Sequence, residues 1–251
     1  PGETPSDGPV RDFADAVNAK LDASRTRDVF IYVHGYKVTF ENPLLVASEL
    51  WHFLGYDGVF VAYSWPATPK SLAYVSDLED ALLSARNLRK FIHFLSEETQ
   101  AERIHVIGYS AGTRLVSRML ADFGMYTRLV DAQVVRDELR IGHVILTGSD
   151  VDRDIFGGYL MDGALRVPEA LIVYQSTEDK ALGMSRFVFG RNRVGQFFDA
   201  DDPAREKFLS ANPQLQLINV TEARGARGGT GHGYFRSSPW VSSDVLVSLL
   251  Y

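Results

Sequence analysis

Six short apolar runs, rich in β-branched and aromatic residues, punctuate the chain: 29–33 (VFIYV), 59–65 (VFVAYSW), 103–109 (RIHVIGY), 143–148 (HVILTG), 170–176 (ALIVYQS) and 215–220 (LQLINV). Several are apolar without alternation, the pattern of strands buried on both faces of a parallel sheet. Between the runs, apolar positions recur at helical spacing. The clearest case is Leu78, Ala81, Leu82, Ala85, Leu88, Ile92 and Leu95, with charges between them, which predicts a helix covering the sheet. Phe13, Val17 and Leu21 predict a short amphipathic helix ahead of the first strand, after a stretch over residues 1–10 whose Pro, Gly and Asp content reads as disordered. At the other end Ser238 can cap a helix that opens with Pro239 and continues through Val241, Val245, Leu246 and Leu249.

Strand, helix and strand repeated in this order predict an α/β fold with a mostly parallel, doubly wound sheet, helices on both faces and right-handed crossovers. The expected organisation is a flexible lead-in with its short helix over residues 1–26, then a single domain over residues 27–251. Two stretches break the alternation, 183–214 and 222–233 (EARGARGGTGHG). Both exceed ordinary connections, so each is a candidate lid or binding loop, with a solvated surface insertion as the alternative.

The third run leads into Gly108-Tyr109-Ser110-Ala111-Gly112, and a helical pattern, TRLVSRML, leaves it. A serine on a sharp strand-to-helix turn needs small residues on either side, and the turn lifts its hydroxyl above the sheet edge. The same turn aims the amide of Ala111 at a bound carbonyl oxygen. A serine hydroxyl is a weak nucleophile at neutral pH and requires a base and a group that orients the base. Of the six histidines, His52 and His93 fall in helical patterns, and His105 and His143 fall in or beside strands. His34 follows the first strand and reads as a loop organiser. His232 lies in a glycine-rich loop between the last strand and the last helix, at the same carboxyl edge as Ser110.

Two acidic clusters can supply the orienting carboxylate: Asp150, Asp152 and Asp154 after the fourth run, and Glu178 and Asp179 after the fifth. Asp179 is preferred because it follows the penultimate strand. Asp150 is the alternative, and Asp152 or Asp154 suits a helix cap. The turn His34-Gly35-Tyr36 offers a second oxyanion donor in the Tyr36 amide.

With these residues in place the chain resembles the α/β-hydrolase superfamily from about residue 27 onward. More narrowly, the stretches VHGYKVTFENPL, YSWPATPKSLAYVSDLEDAL, VIGYSAG, DVDRDIF, DKALGMS and GHGYF resemble an uncharacterised bacterial branch of it. The resemblance implies a serine hydrolase with Ser110 as nucleophile, Asp179 as acid, His232 as base and the amides of Tyr36 and Ala111 as oxyanion hole. The sequence departs from the family pattern in three places. The two antiparallel strands that usually open the superfamily's sheet have no evident counterpart before residue 27, which suggests a shortened sheet. Tyr109 stands where many members carry histidine, and Gly233 where serine is expected.

Composition narrows the alternatives. A formal net charge of -6, with no basic stripe interleaved with aromatics, argues against nucleic acid as a partner. The absence of cysteine excludes disulfides, thiolate metal sites and a cysteine nucleophile. No apolar run reaches the length of a membrane span. The chain opens PGETPSDGPV without methionine, which leaves room upstream for a secretion or lipid-attachment signal and favours an extracytoplasmic location over a cytoplasmic one. Nothing sets an oligomeric state. No zinc-like histidine spacing or phosphate-binding glycine loop occurs, so no metal or cofactor is called for.

The expected reaction is hydrolysis of a small-molecule or lipid ester, of the carboxylesterase or lipase type. Phe187, Phe189, Phe197 and Phe198 are candidates for an acyl pocket, and Arg186, Arg191 and Arg193 for contacts to an anionic head group, against a plain reading as core aromatics and a solvated basic loop. An acyltransferase or thioesterase would use the same three residues, and a non-catalytic binding protein could share the fold. A metal-dependent site built from His34, Asp150 and Asp152 is the weakest alternative.

Overall fold

A computed structural model describes residues 8–36, 38–66, 74–196 and 203–251, with the side chains of 74–80, 82, 186–189 and 204 outside the description. Six strands, β1 Asp28–Val33, β2 Val59–Tyr63, β3 Arg103–Tyr109, β4 Ile141–Thr147, β5 Ala170–Gln175 and β6 Leu215–Asn219, form one sheet in the order β2-β1-β3-β4-β5-β6. Every pairing is parallel, and no antiparallel strand precedes β1 among the described residues. The chain runs outward from β1 to β2 and returns to β3 on the other side. The strand order therefore reverses between β1 and β3, and the loops leaving these two strands face each other across a crevice.

Ten helices flank the sheet among the described residues: α1 Gly8–Asp22, α2 Glu41–Phe53, α3 Tyr74–Glu98, α4 Gly112–Tyr126, α5 Ala132–Leu139, α6 Arg153–Met161, α7 Lys180–Phe189, α8 Pro203–Ala211, α9 Tyr234–Ser237 and α10 Pro239–Leu250. Alternation along β1 divides the core. Val29, Ile31 and Val33 face a layer that includes Ala85, Leu88 and Ile92 of α3 and Leu115 and Met119 of α4. Phe30 and Tyr32 face Val46 and Leu50 of α2, Tyr234 and Phe235 of α9, and Val241 and Val245 of α10. The first helix joins the former layer through Val17 and Leu21, while Phe13 lies half exposed with its ring 5.9 Å from Phe91. At the far end Ser238 caps α10, its hydroxyl accepting from the Val241 amide with Pro239 at the first helical position.

The stretch 183–214 contains the end of α7 and all of α8. Between these helices residues 190–196 are tied along the segment after β4: Arg153 N–H donates to Asn192 O, Val194 N–H to Val151 O, Gly195 N–H to Ser149 O, and Asp152 bridges Arg193.

One irregularity in the sheet carries a pH consequence. Gly142 and His143 of β4 stand opposite His105 alone on β3, and the His143 amide donates to His105 Nδ1 at 3.0 Å. The His105 ring is fully buried, stacked on Phe30 with centroids 5.1 Å apart. Burial, then the neighbouring His143 and Arg103, push its pKa from 6.5 down to about 3. The folded chain keeps His105 neutral where the unfolded chain binds a proton, so stability is complete above pH 6.5 and falls as pH drops towards about 3. One such group removes about 1.4 kcal/mol per pH unit in that window. His34, lowered for the same reason, acts with the same sign. In His105→Asn, which keeps an acceptor for the His143 amide, the stability deficit relative to wild type is expected to shrink by about 2 kcal/mol between pH 6.5 and 4.5. Urea unfolding at the two pH values measures it, and an unchanged deficit would show that His105 does not set the acid limb.

Candidate active site

Ser110 ends β3 and precedes α4. Its φ of 53° is left-handed, a conformation rare for a residue with a side chain, and the turn is held by Ser110 N–H donating to Thr147 O at 3.0 Å and by Thr113 Oγ1 donating to Ser110 O at 2.6 Å. The turn after β1 lies directly against it. A Cβ on Gly112 would stand 2.4 Å from the His34 carbonyl oxygen, and one on Gly35 would stand 2.8 Å from Ser110 Cβ, so only glycine at both positions lets the two turns meet. The Ala111 amide sits at the N-terminus of α4, where the helix dipole favours negative charge.

His34 organises the β1 turn. Its Nδ1 is 2.8 Å from Gly35 O, its Nε2 accepts from the Trp65 amide at 3.2 Å, and the Trp65 indole donates to His34 O at 2.8 Å. These partners assign the proton to Nδ1, and burial, which holds the pKa below its usual value, keeps the ring neutral. Tyr36, the candidate oxyanion donor, is half buried two residues on and packs against the core.

His232 Nε2 lies 2.8 Å from Ser110 Oγ, and His232 Nδ1 lies 2.7 Å from Asp179 Oδ2. The Asp179 carboxylate is fully enclosed and its second oxygen accepts from the Leu182 amide at 3.0 Å, so the residue that meets His232 also begins α7. The loop bearing His232 docks on the loop bearing Asp179: Lys180 N–H donates to Thr230 O at 2.9 Å, and a Cβ on Gly231, at φ 69°, would stand 2.2 Å from Glu178 O. Behind the histidine, buried Tyr234 accepts from the Gly148 amide at 2.6 Å and donates to Tyr174 O at 3.0 Å. Tyr109 packs its ring 5.2 Å from that of His232 and 4.8 Å from Phe235. Burial, reinforced by the Asp179 charge, raises the Tyr109 hydroxyl to about 12.

The alternative acid is engaged elsewhere. Asp150 Oδ2 accepts from Arg114 at 2.9 Å, while its Oδ1 accepts from Ser185 at 2.7 Å and lies 3.5 Å from Arg193 Nε. Asp152 caps α6 by accepting from the Asp154 and Ile155 amides. His34, Asp150 and Asp152 thus each serve a different local structure. Among the described residues no group of three or more metal-ligating side chains occurs.

Of the residues proposed to contact substrate, Arg193 is buried against Asp150, and exposed Arg191 lies 3.9 Å from Asp152. Phe187 and Phe189 lie on α7 with side chains outside the description, as does that of Arg186, and Phe197 and Phe198 fall outside the described residues. Tyr234, Thr113 and Trp65 support the site although the sequence reading does not single them out, whereas His34 is the loop organiser it names. The aromatic after Gly233 in GHGYF was the available signal for the first.

An open parallel sheet with a strained serine at the β3–α4 turn and a histidine returning after the last strand defines an α/β hydrolase. Residues 11–249 match the family described as alpha/beta hydrolase of unknown function (DUF900), and the chain belongs to that family. No curated protein matches the chain. Solved structures of esterase B from Lactobacillus rhamnosis align with the chain at low identity. The form inhibited by a C4-C4 sn3 tributyrin phosphonate aligns at 12% identity and a TM-score of 0.49 over 90% of this chain and 75% of that one. The C6-C4 sn3 inhibited form aligns at 13% and 0.48 over 90% and 77%. No helix among the described residues is long and apolar enough to cross a membrane.

Proposed function

We propose that the protein is a serine esterase in which Ser110, His232 and Asp179 act as nucleophile, base and orienting acid. The observation that carries this reading is the unbroken hydrogen-bond chain from Ser110 Oγ through both ring nitrogens of His232 to Asp179. In the first half-reaction His232 Nε2 takes the serine proton while Oγ bonds to the ester carbonyl carbon. The amides of Ala111 and Tyr36 are the proposed donors to the oxyanion, with the α4 N-terminus adding favourable potential. Collapse of the tetrahedral intermediate breaks the carbon–oxygen bond to the alcohol, and His232 gives that oxygen its proton. Water then repeats the sequence and frees the acid. Asp179, acceptor-only when ionised, holds Nδ1–H and so leaves Nε2 as the basic nitrogen.

A fluorophosphonate probe tests the nucleophile directly. Wild-type protein is expected to gain one covalent label at Ser110, located by peptide mass spectrometry, and preincubation with a p-nitrophenyl ester should slow labelling. Folded protein that remains unlabelled would overturn the serine mechanism and favour a binding role.

A further inference from the structure

A cavity of about 260 Å³ opens at Tyr109 and Gly233, the chain neighbours of Ser110 and His232, on the α2 and α9 side of the sheet. It occupies the crevice where the strand order reverses, with Tyr32 from the end of β1 and Tyr109 from the end of β3 among its walls. Its nearest points to the chemistry are Tyr109, whose ring touches that of His232, and Gly233, which follows His232. Under the proposed mechanism the alcohol oxygen receives its proton from His232, so the leaving half of the ester lies on the His232 side of Ser110. That is the side on which the cavity begins.

The cavity's described lining mixes polar groups with apolar ring surface. Tyr32 is almost wholly buried, yet among the described residues neither its hydroxyl nor that of Tyr109 engages in a hydrogen bond. Burial raises both phenols above their ordinary pKa, with Tyr109 adding to the rise at Tyr32, so Tyr32 stays a protonated donor that can also accept. Arg236 and Glu49, also in the wall, are already paired at 2.6 Å, which leaves the described lining without net charge. Phe235 and the two tyrosine rings supply flat apolar surface. The volume is that of about nine waters, below the range of drug-sized pockets, so one compact group fills it. An aliphatic chain would leave a buried phenol unsatisfied, and an anion would find its cation taken. A neutral, polyhydroxylated group satisfies both.

We infer that this cavity is a subsite for the alcohol half of the substrate, and that it takes a compact polyol or monosaccharide carrying the scissile ester. The inference rests on the esterase reading of Ser110 and His232. Tyr32 is its specificity-determining residue.

Three acetates with a common acyl group test it: ethyl acetate, glyceryl monoacetate and methyl 6-O-acetylglucoside, each assayed for kcat/KM with wild type and with Tyr32→Phe. Wild type should prefer a hydroxylated acetate over ethyl acetate by about tenfold or more, and Tyr32→Phe should cut that preference at least about fivefold, chiefly through KM. Circular dichroism and fluorophosphonate labelling establish that the variant is folded and its serine reactive. Where it does not fold, competition of free methyl glucoside and of glycerol with labelling of the wild type replaces it, and protection by one of them is the expected result. Labelling at Ser110 without any preference for the hydroxylated acetates, or a preference that Tyr32→Phe leaves intact, overturns the subsite and spares the esterase reading. Loss of both labelling and turnover overturns the two together.

Discussion

Ser110→Ala is expected to lower kcat on p-nitrophenyl esters by at least about 10³-fold, to the level left by the oxyanion donors and binding alone. The loss should appear in kcat and kcat/KM together, because Oγ forms its bond only on the way to the transition state. Folding should be unaffected: Ser110 Oγ contacts His232, whose other ring nitrogen remains tied to Asp179, and alanine tolerates the 53° backbone no worse than serine. Ser110→Gly sharpens the test. It removes the same hydroxyl and also relieves the left-handed strain, so it should be equally inactive yet more stable than Ser110→Ala by about 1 kcal/mol. Ester turnover with circular dichroism and thermal melts of the three proteins gives both readouts. Activity in Ser110→Ala within tenfold of wild type would place the nucleophile elsewhere.

The fold was legible because this sheet gives the strongest form of its signal. Strands covered on both faces are apolar at nearly every position, and VFIYV, RIHVIGY and ALIVYQS became β1, β3 and β5 within a residue of where they read. The elbow was legible because close approach of two turns demands glycine, and Gly35 and Gly112 lie where His34 and Ser110 leave no room for a side chain. How the sheet orders its strands was not written in any one run, yet it decides the crevice between β1 and β3 in which the site lies.

What stayed hidden depends on contacts distant in sequence. The aspartates after β4 and β5 have similar local surroundings, and only packing shows Asp150 held by Arg114 from α4 and Ser185 from α7 while Asp179 reaches His232. Arg193 read as a surface cation because its neighbours are polar, but 43 residues earlier in the chain Asp150 supplies the partner that allows burial. Tyr32 sits inside an apolar strand with nothing local to separate it from a core aromatic. Its value to the cavity comes from Tyr109 and Arg236, which are far along the chain.

The contrast between Asp179→Asn and Asp150→Asn decides which carboxylate serves His232. Asparagine at 179 can keep the Leu182 amide with its carbonyl, but its NH₂ then faces Nδ1 and favours the tautomer with the proton on Nε2, the nitrogen that must accept from Ser110. The expected result is a fall in kcat of about 10⁴-fold with little change in KM or melting temperature. Asp150→Asn should do the reverse. It leaves two guanidinium groups, those of Arg114 and Arg193, beside a neutral side chain in a buried setting, so stability should drop by about 3 kcal/mol while kcat of the folded fraction stays within a few-fold. Steady-state kinetics and urea unfolding of both variants separate the outcomes. A large kcat defect confined to Asp150→Asn would transfer the acid's role to Asp150 and require the contact between Asp179 and His232 to be purely structural.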